Sequence, residues 1–135
     1  VLRAESKARA RALQALYAWE IRGRPSPGEL DEAGFRELSG AAGERARRLF
    51  EGVVANHRSL DREIEQAVEH WRLDRLGAVE RNILRLALHE LLEGDAPPVV
   101  VIDEAVRLAR WFGGSKAPAF VNGVLDAAAR RLGLL

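Results

Sequence analysis

The segment His89-Glu90-Leu91-Leu92-Glu93 comes within one residue of a helical zinc-hydrolase pattern. In that pattern two histidines one turn apart chelate zinc and the glutamate between them activates water. The fifth position here is Glu93, so the second imidazole is missing. With three histidines and no cysteine in the chain, the nitrogen and sulfur donors of a zinc site are too few. Gly113-Gly114-Ser115-Lys116 has the residue types of a phosphate-binding loop. It lacks the distant first glycine, the Lys-Ser/Thr order and the preceding strand that such a loop needs, and it reads better as a helix stop followed by a helix start. No Ser, His and Asp set falls close together in sequence. These residues predict a non-enzymatic protein with no metal and no cofactor.

Recognition of a polyanion is the chemistry that the remaining residues suit. From Val1 to Arg24, six basic residues (Arg3, Lys7, Arg9, Arg11, Arg22, Arg24) stand against Glu5 and Glu20. From Pro25 to Ser39, four acidic residues face Arg36 alone. A basic end on a chain whose net charge is only +1 is an electrostatic footprint for nucleic acid. An ordinary solvated helix face explains the same charges equally well. At about 100° per residue, Arg3, Lys7, Arg11 and Gln14 gather on one side of a first helix, with Tyr17 on its shoulder. Single-stranded RNA offers phosphates to such cations and splayed bases to such polar and aromatic groups. Arg9 falls nearer the apolar side, and its aliphatic stem is expected to carry the charge outward beside the stripe.

The elements that must position these residues are helical almost throughout. The apolar period predicts a first helix from about Glu5 to Ile21, burying Ala8, Ala12, Ala15, Leu16 and Trp19. The run Gly23-Arg24-Pro25-Ser26-Pro27-Gly28 reads as a loop, and a short helix from Glu29 to Leu38 follows. A stronger helix covers roughly Ala42 to Asn56, with Leu49, Phe50, Val53 and Val54 inward. Ser59 is placed to cap another, carrying Leu60, Ile64, Ala67 and Val68, and Asp74 to cap the one after Trp71. The most apolar helix runs from about Leu76 to Leu92 and is expected to pack on more than one side. Gly94 to Pro98 ends it. Val99 to Ile102 could be a strand by composition, but no partner strand exists, so it leads into a helix through Phe112. A last helix starts at Pro118. The expectation is an all-α chain of about seven helices, without internal repeats.

Three segments resemble a known family. Arg9-Ala10-Arg11-Ala12-Leu13-Gln14-Ala15-Leu16-Tyr17-Ala18-Trp19 resembles the opening helix of NusB proteins. The segment from Val79 through Glu80-Arg81-Asn82-Ile83-Leu84-Arg85 to Leu91 resembles their central helix. Val101-Ile102-Asp103-Glu104-Ala105-Val106, Phe112-Gly113-Gly114 and Phe120-Val121-Asn122-Gly123-Val124-Leu125-Asp126 are similar to their C-terminal signature. The matches keep the family's order and span most of the chain apart from roughly residues 22–41. The resemblance implies one all-α domain, residues 1–135, built of two helical subdomains. It implies a bacterial transcription antitermination factor that binds single-stranded box A RNA of ribosomal RNA operon leaders. It also implies a heterodimer with NusE, a protein of the small ribosomal subunit, acting with other Nus factors on the RNA polymerase elongation complex. Family members occur free as monomers or homodimers.

Carried over position by position, the resemblance adds Trp71, Phe112 and Phe120 to the RNA surface formed by Arg3, Lys7, Arg9, Arg11, Gln14 and Tyr17. Core packing is the competing role for Phe112 and Phe120. Lys116 stands where the family often carries an acidic residue, and a lysine there would help to bind phosphate. The resemblance places the NusE-like partner near the start of the central helix, at Asp74, Glu80 and Arg81. Two other readings share these residues: the RNA-binding domain of a ribosomal-RNA cytosine methyltransferase, and a protein-interaction module without RNA. No apolar run approaches the ~18 residues of a membrane span, and Val1 to Glu5 lacks the apolar core of a signal peptide. A cytoplasmic location is the expectation.

Overall fold

The computed structural model describes residues 4–25, 40–68 and 76–135. Within them the chain forms α1 (Ala4–Ile21), α2 (Gly40–Ala67), α3 (Ala78–Glu93), α4 (Pro98–Phe112) and α5 (Ala117–Arg131), and no strand. The all-α expectation holds, but the number of helices does not. The segments expected as Ala42–Asn56 and a Ser59-capped successor are one continuous helix of 28 residues. Ser59 Oγ donates to the Asn56 carbonyl at 3.0 Å, back into the helix instead of capping a new one. The expected short helix from Glu29 to Leu38 lies outside the described residues, as do Trp71 and the proposed cap Asp74.

Helix α2 stays unbroken because its inward stripe does not lapse. Ala46, Leu49, Phe50, Val53, Leu60 and Ile64 are buried at spacings of three and four, and His57 fills the gap between Val53 and Leu60. The imidazole lies edge-on to Trp19, with ring centroids 5.2 Å apart, and its Nδ1 is 2.9 Å from the Val54 carbonyl. The stop after α3 is Gly94, whose left-handed φ of 75° lets its N–H reach the Glu90 carbonyl. Pro98 occupies the first turn of α4, where the missing N–H costs nothing. The valine-rich run that follows is helical, with Val101, Ile102, Ala105, Leu108 and Ala109 buried on one face.

Helix α3 is the axis of the molecule. It touches all four other helices, while α1 pairs most extensively with α2 and α4 with α5. One continuous apolar cluster runs through all five. Ile83, Leu84, Leu86 and Leu88 are almost wholly removed from water, each such side chain contributing roughly 1.5–3 kcal/mol of transfer free energy. No helix among the described residues is long and apolar enough to cross a membrane.

Candidate nucleic-acid interface

Helix α1 divides its circumference between core and solvent. Ser6, Ala8, Arg9, Ala12, Leu13, Leu16 and Trp19 are buried. Lys7 and Gln14 are exposed, Arg11 is partly so, and Tyr17 keeps 44% of its surface in solvent. Lys7, Arg11, Gln14 and Tyr17 therefore face outward as the helical period requires, and Arg9 lies on the apolar side. That residue does not reach outward along its stem: it is 5% exposed. Its Nε and Nη2 donate to Glu90 on α3 at 2.9 Å each. Burial opposes its charge, but the hydrogen bond to Glu90 and the charges of Glu90, Glu104 and Glu5 outweigh it and raise its pKa. Buried and paired in this way, the guanidinium is not presented to solvent where it could take a phosphate.

Two adjoining clefts collect most of the other candidates. The smaller, about 280 Å³, is lined by Leu13, Gln14 and Tyr17 of α1, Val79 of α3 and Phe112 at the end of α4. Phe112 is 39% exposed, because α4 ends there and the core no longer covers the ring. The larger, about 620 Å³, is lined by Leu76, Gly77, Glu80, Gly114, Ser115, Lys116, Ala117 and Phe120. The first turn of α3 supplies Val79 to one and Glu80 to the other. Phe112, Lys116 and Phe120, far from α1 in sequence, are thus brought to the same side as Gln14 and Tyr17. Arg3, Trp71 and Asp74 lie outside the described residues.

The two described residues expected at a protein partner have different surroundings. Glu80 shares the larger cleft with Lys116 and Phe120, and its Oε1 accepts a long 3.4 Å bond from the Gly114 N–H. Arg81 is mostly buried. It donates through Nε to Glu20 at 2.7 Å and through Nη1 to the Leu76 carbonyl. It therefore ties the rim of the larger cleft to the end of α1, and little of its guanidinium is open to a partner.

Beneath the clefts lies a polar network that the residue pattern alone did not bring out. Glu20 accepts from Arg81 (2.7 Å), Asn82 Nδ2 (2.7 Å), Arg24 (2.9 Å) and Arg85 (3.2 Å). Burial alone would raise its pKa, but hydrogen bonds from Arg81 and Arg24 and the charges of Arg85 and Arg81 prevail, holding it at about 2. Arg85 is wholly buried and also grips Asp61 on α2 through two bonds of 2.6 and 2.9 Å. Its guanidinium lies 5.9 Å from the centre of the Trp19 ring. A signal for this network exists in the helical phase, which puts Glu20 on the Leu13–Leu16 side of α1 and Arg85 amid the leucines of α3. Among the described residues no group of three or more His, Cys, Asp or Glu is placed to hold a metal ion.

The NusB family model matches residues 6–130 of this chain. The transcription antitermination protein NusB of Anaeromyxobacter sp. (strain Fw109-5) is 41% identical over 129 residues, covering 94% of this chain and 90% of that protein. The protein of the same name from Solibacter usitatus (strain Ellin6076) is 41% identical over 129 residues, with 93% and 88% covered. Among solved structures, T. maritima NusB is similar with a TM-score of 0.84 at 38% identity, covering 93% of this chain and 90% of that one. A crystal structure of antitermination factors NusB and NusE in complex with dsRNA is similar with a TM-score of 0.83 at 36% identity, covering 97% and 99%.

Proposed function

The chain belongs to the NusB family, and from that premise we propose that it is a transcription antitermination factor binding box A RNA of ribosomal RNA operon leaders together with NusE. The observation that carries this reading is the cleft where Gln14 and Tyr17 of α1 meet Phe112 of α4. A hydrogen-bonding amide and two partly exposed rings face solvent there, beside the Lys7 and Arg11 stripe. Phosphates would lie along Lys7 and Arg11, and also on Lys116, while bases stack on Tyr17, Phe112 and Phe120. Stacking needs bases freed from a duplex, so the ligand is single-stranded RNA. Arg9 supports that surface from below without touching the RNA.

The NusE-like partner docks near the start of α3, where Glu80 is its contact and Arg81 holds the backbone in place. The loaded pair joins the RNA polymerase elongation complex with other Nus factors in the cytoplasm, and the free protein is a monomer or a homodimer. Support comes from the antitermination name of relatives aligned over about nine-tenths of their length and, for NusE and RNA as classes of partner though not for a single strand, from the similar structure of NusB and NusE with dsRNA.

The test is fluorescence anisotropy with a labelled box A-like RNA, a scrambled strand and a double-stranded form, each with and without purified NusE. Tight binding that prefers the single-stranded box A-like RNA and sharpens with NusE is expected. Weak binding alike to all three, unmoved by NusE, would overturn the reading.

A further inference from the structure

Trp111 is the largest exposed apolar side chain of the described residues, with 45% of its surface in solvent one residue before the end of α4. It belongs neither to the core cluster nor to the partly buried residues packed on it. It also lines neither of the two clefts. Its ring meets that of Phe112 edge to face, with centroids 6.5 Å apart and planes at 87°. Phe112 in turn shares the smaller cleft with Tyr17 and Gln14. Three partly exposed aromatic rings thus form a track running from α1 to the solvent side of α4.

The surroundings of Trp111 are cationic. The guanidinium of Arg107, one turn earlier, lies 6.0 Å from the indole centre, and its ion pair to Glu104 is long at 3.8 Å and half exposed. Arg110 is exposed beside it. An indole with a guanidinium nearby and its remaining surface in water is a stacking platform, since every nucleobase has a face to lay on it.

Resting on the RNA reading above, we propose that Trp111 stacks one further unpaired base of the bound strand, extending the RNA surface beyond Phe112 along α4. Arg107 and Arg110 favour a polyanion over an uncharged apolar partner, and the edge contact with Phe112 makes the site continuous with the proposed RNA cleft. The platform is indifferent to base identity, so it adds affinity and length dependence but not sequence preference.

The experiment measures affinities of the full chain for box A-like RNA lengthened one nucleotide at a time at either end, using wild type, Trp111→Ala, Trp111→Phe and Lys7→Glu. Wild type should gain about five-fold or more in affinity at one added nucleotide. Trp111→Ala should lack that step and Trp111→Phe should keep part of it. Lys7→Glu should weaken every RNA yet retain the step. Indole emission should be quenched on binding in wild type and less so in Trp111→Phe. If Trp111→Ala, with an unchanged helical circular dichroism spectrum, binds every RNA as wild type does, the proposal falls while the RNA reading stands. If that variant loses affinity for NusE instead, the ring belongs to a protein contact and the proposal falls. If wild type binds no RNA, both fall together.

Discussion

Arg9 on α1 and Glu90 on α3, 81 positions apart, are joined through the Nε–Nη2 edge of the guanidinium and both carboxylate oxygens in a pair almost free of solvent. A cation from the most basic stretch of the chain thereby serves the core. Removing Arg9 leaves the buried Glu90 carboxylate with only the more distant Arg45, 3.7 Å away, and breaking a buried pair typically costs about 3–5 kcal/mol. Arg9→Ala should therefore lower stability by that order in urea denaturation, and the paired replacement Arg9→Met with Glu90→Leu should recover most of it. Recovery by the pair is the diagnostic result; equal damage from single and double variants would mean that packing, not charge, dominates there.

Lys7 and Arg11 lie on the same helix with the opposite role. Charge reversal at either should leave stability within about 0.5 kcal/mol. RNA affinity should fall, and the slope of log affinity against log salt should flatten by roughly 0.7–0.9 for each phosphate no longer neutralised. Titrations at several salt concentrations read both quantities, and an unchanged slope would remove these residues from the RNA surface.

Phe120 lines the larger cleft while packing partly on the core. Phe120→Ala should weaken RNA binding about five-fold or more, the range expected for removal of a base stack, and keep its helical circular dichroism spectrum. Undiminished binding beside an intact spectrum would make the ring purely structural.

Glu20 makes stability dependent on acid pH. Its folded pKa of about 2 lies well below the ordinary glutamate value, so the folded state holds the carboxylate more strongly than the unfolded chain does. The contribution is fully present above about pH 5 and is lost as pH falls from the unfolded value through the folded one. Glu20→Gln should lower the melting temperature at neutral pH and flatten its decline between about pH 5 and pH 2. A decline as steep as in wild type would assign the acid sensitivity to other carboxylates.

Gly52 of α2 lies against His89 of α3, where an added Cβ would be 2.5 Å from the imidazole ring. Alanine is the better helix former by about 1 kcal/mol, but overpacking typically costs about 1–3 kcal/mol. Gly52→Ala should therefore be destabilising overall, and His89→Ala in the same chain should relieve the clash. Denaturation midpoints of the two singles and the double decide it, since simple additivity would show that the two positions do not press on one another.

The helical phase makes much of this architecture legible. It yields both faces of α1 and the central position of α3, while the lack of a partner strand yields the helical character of Val99 to Ile102. It fails where a polar side chain does the work of an apolar one. Asn56-His57-Arg58-Ser59 has the composition of a stop and a cap, yet His57 sits on the buried stripe and packs on Trp19. Arg9, Glu20 and Arg85 are hidden for a related reason. A charge on a buried face is stable only through partners from other helices, and those partners lie 24 to 81 positions away. The clefts need the fold as well, because no spacing rule brings Phe112 beside Tyr17.

The continuity of α2 also sets which insertions and deletions a lineage of such proteins can accept. Within a helix, one added residue turns everything beyond it by about 100° and shifts it by about 1.5 Å. Placed near His57, such a change would move Leu60 and Ile64 off the core and pull Asp61 away from Arg85, while Leu49 and Phe50 stayed seated. Two helices joined by a loop at that point would have absorbed it. Length variation among relatives should therefore be sparse between Gly40 and Ala67, and any that survives should come in steps of three or four residues, which nearly restore the register.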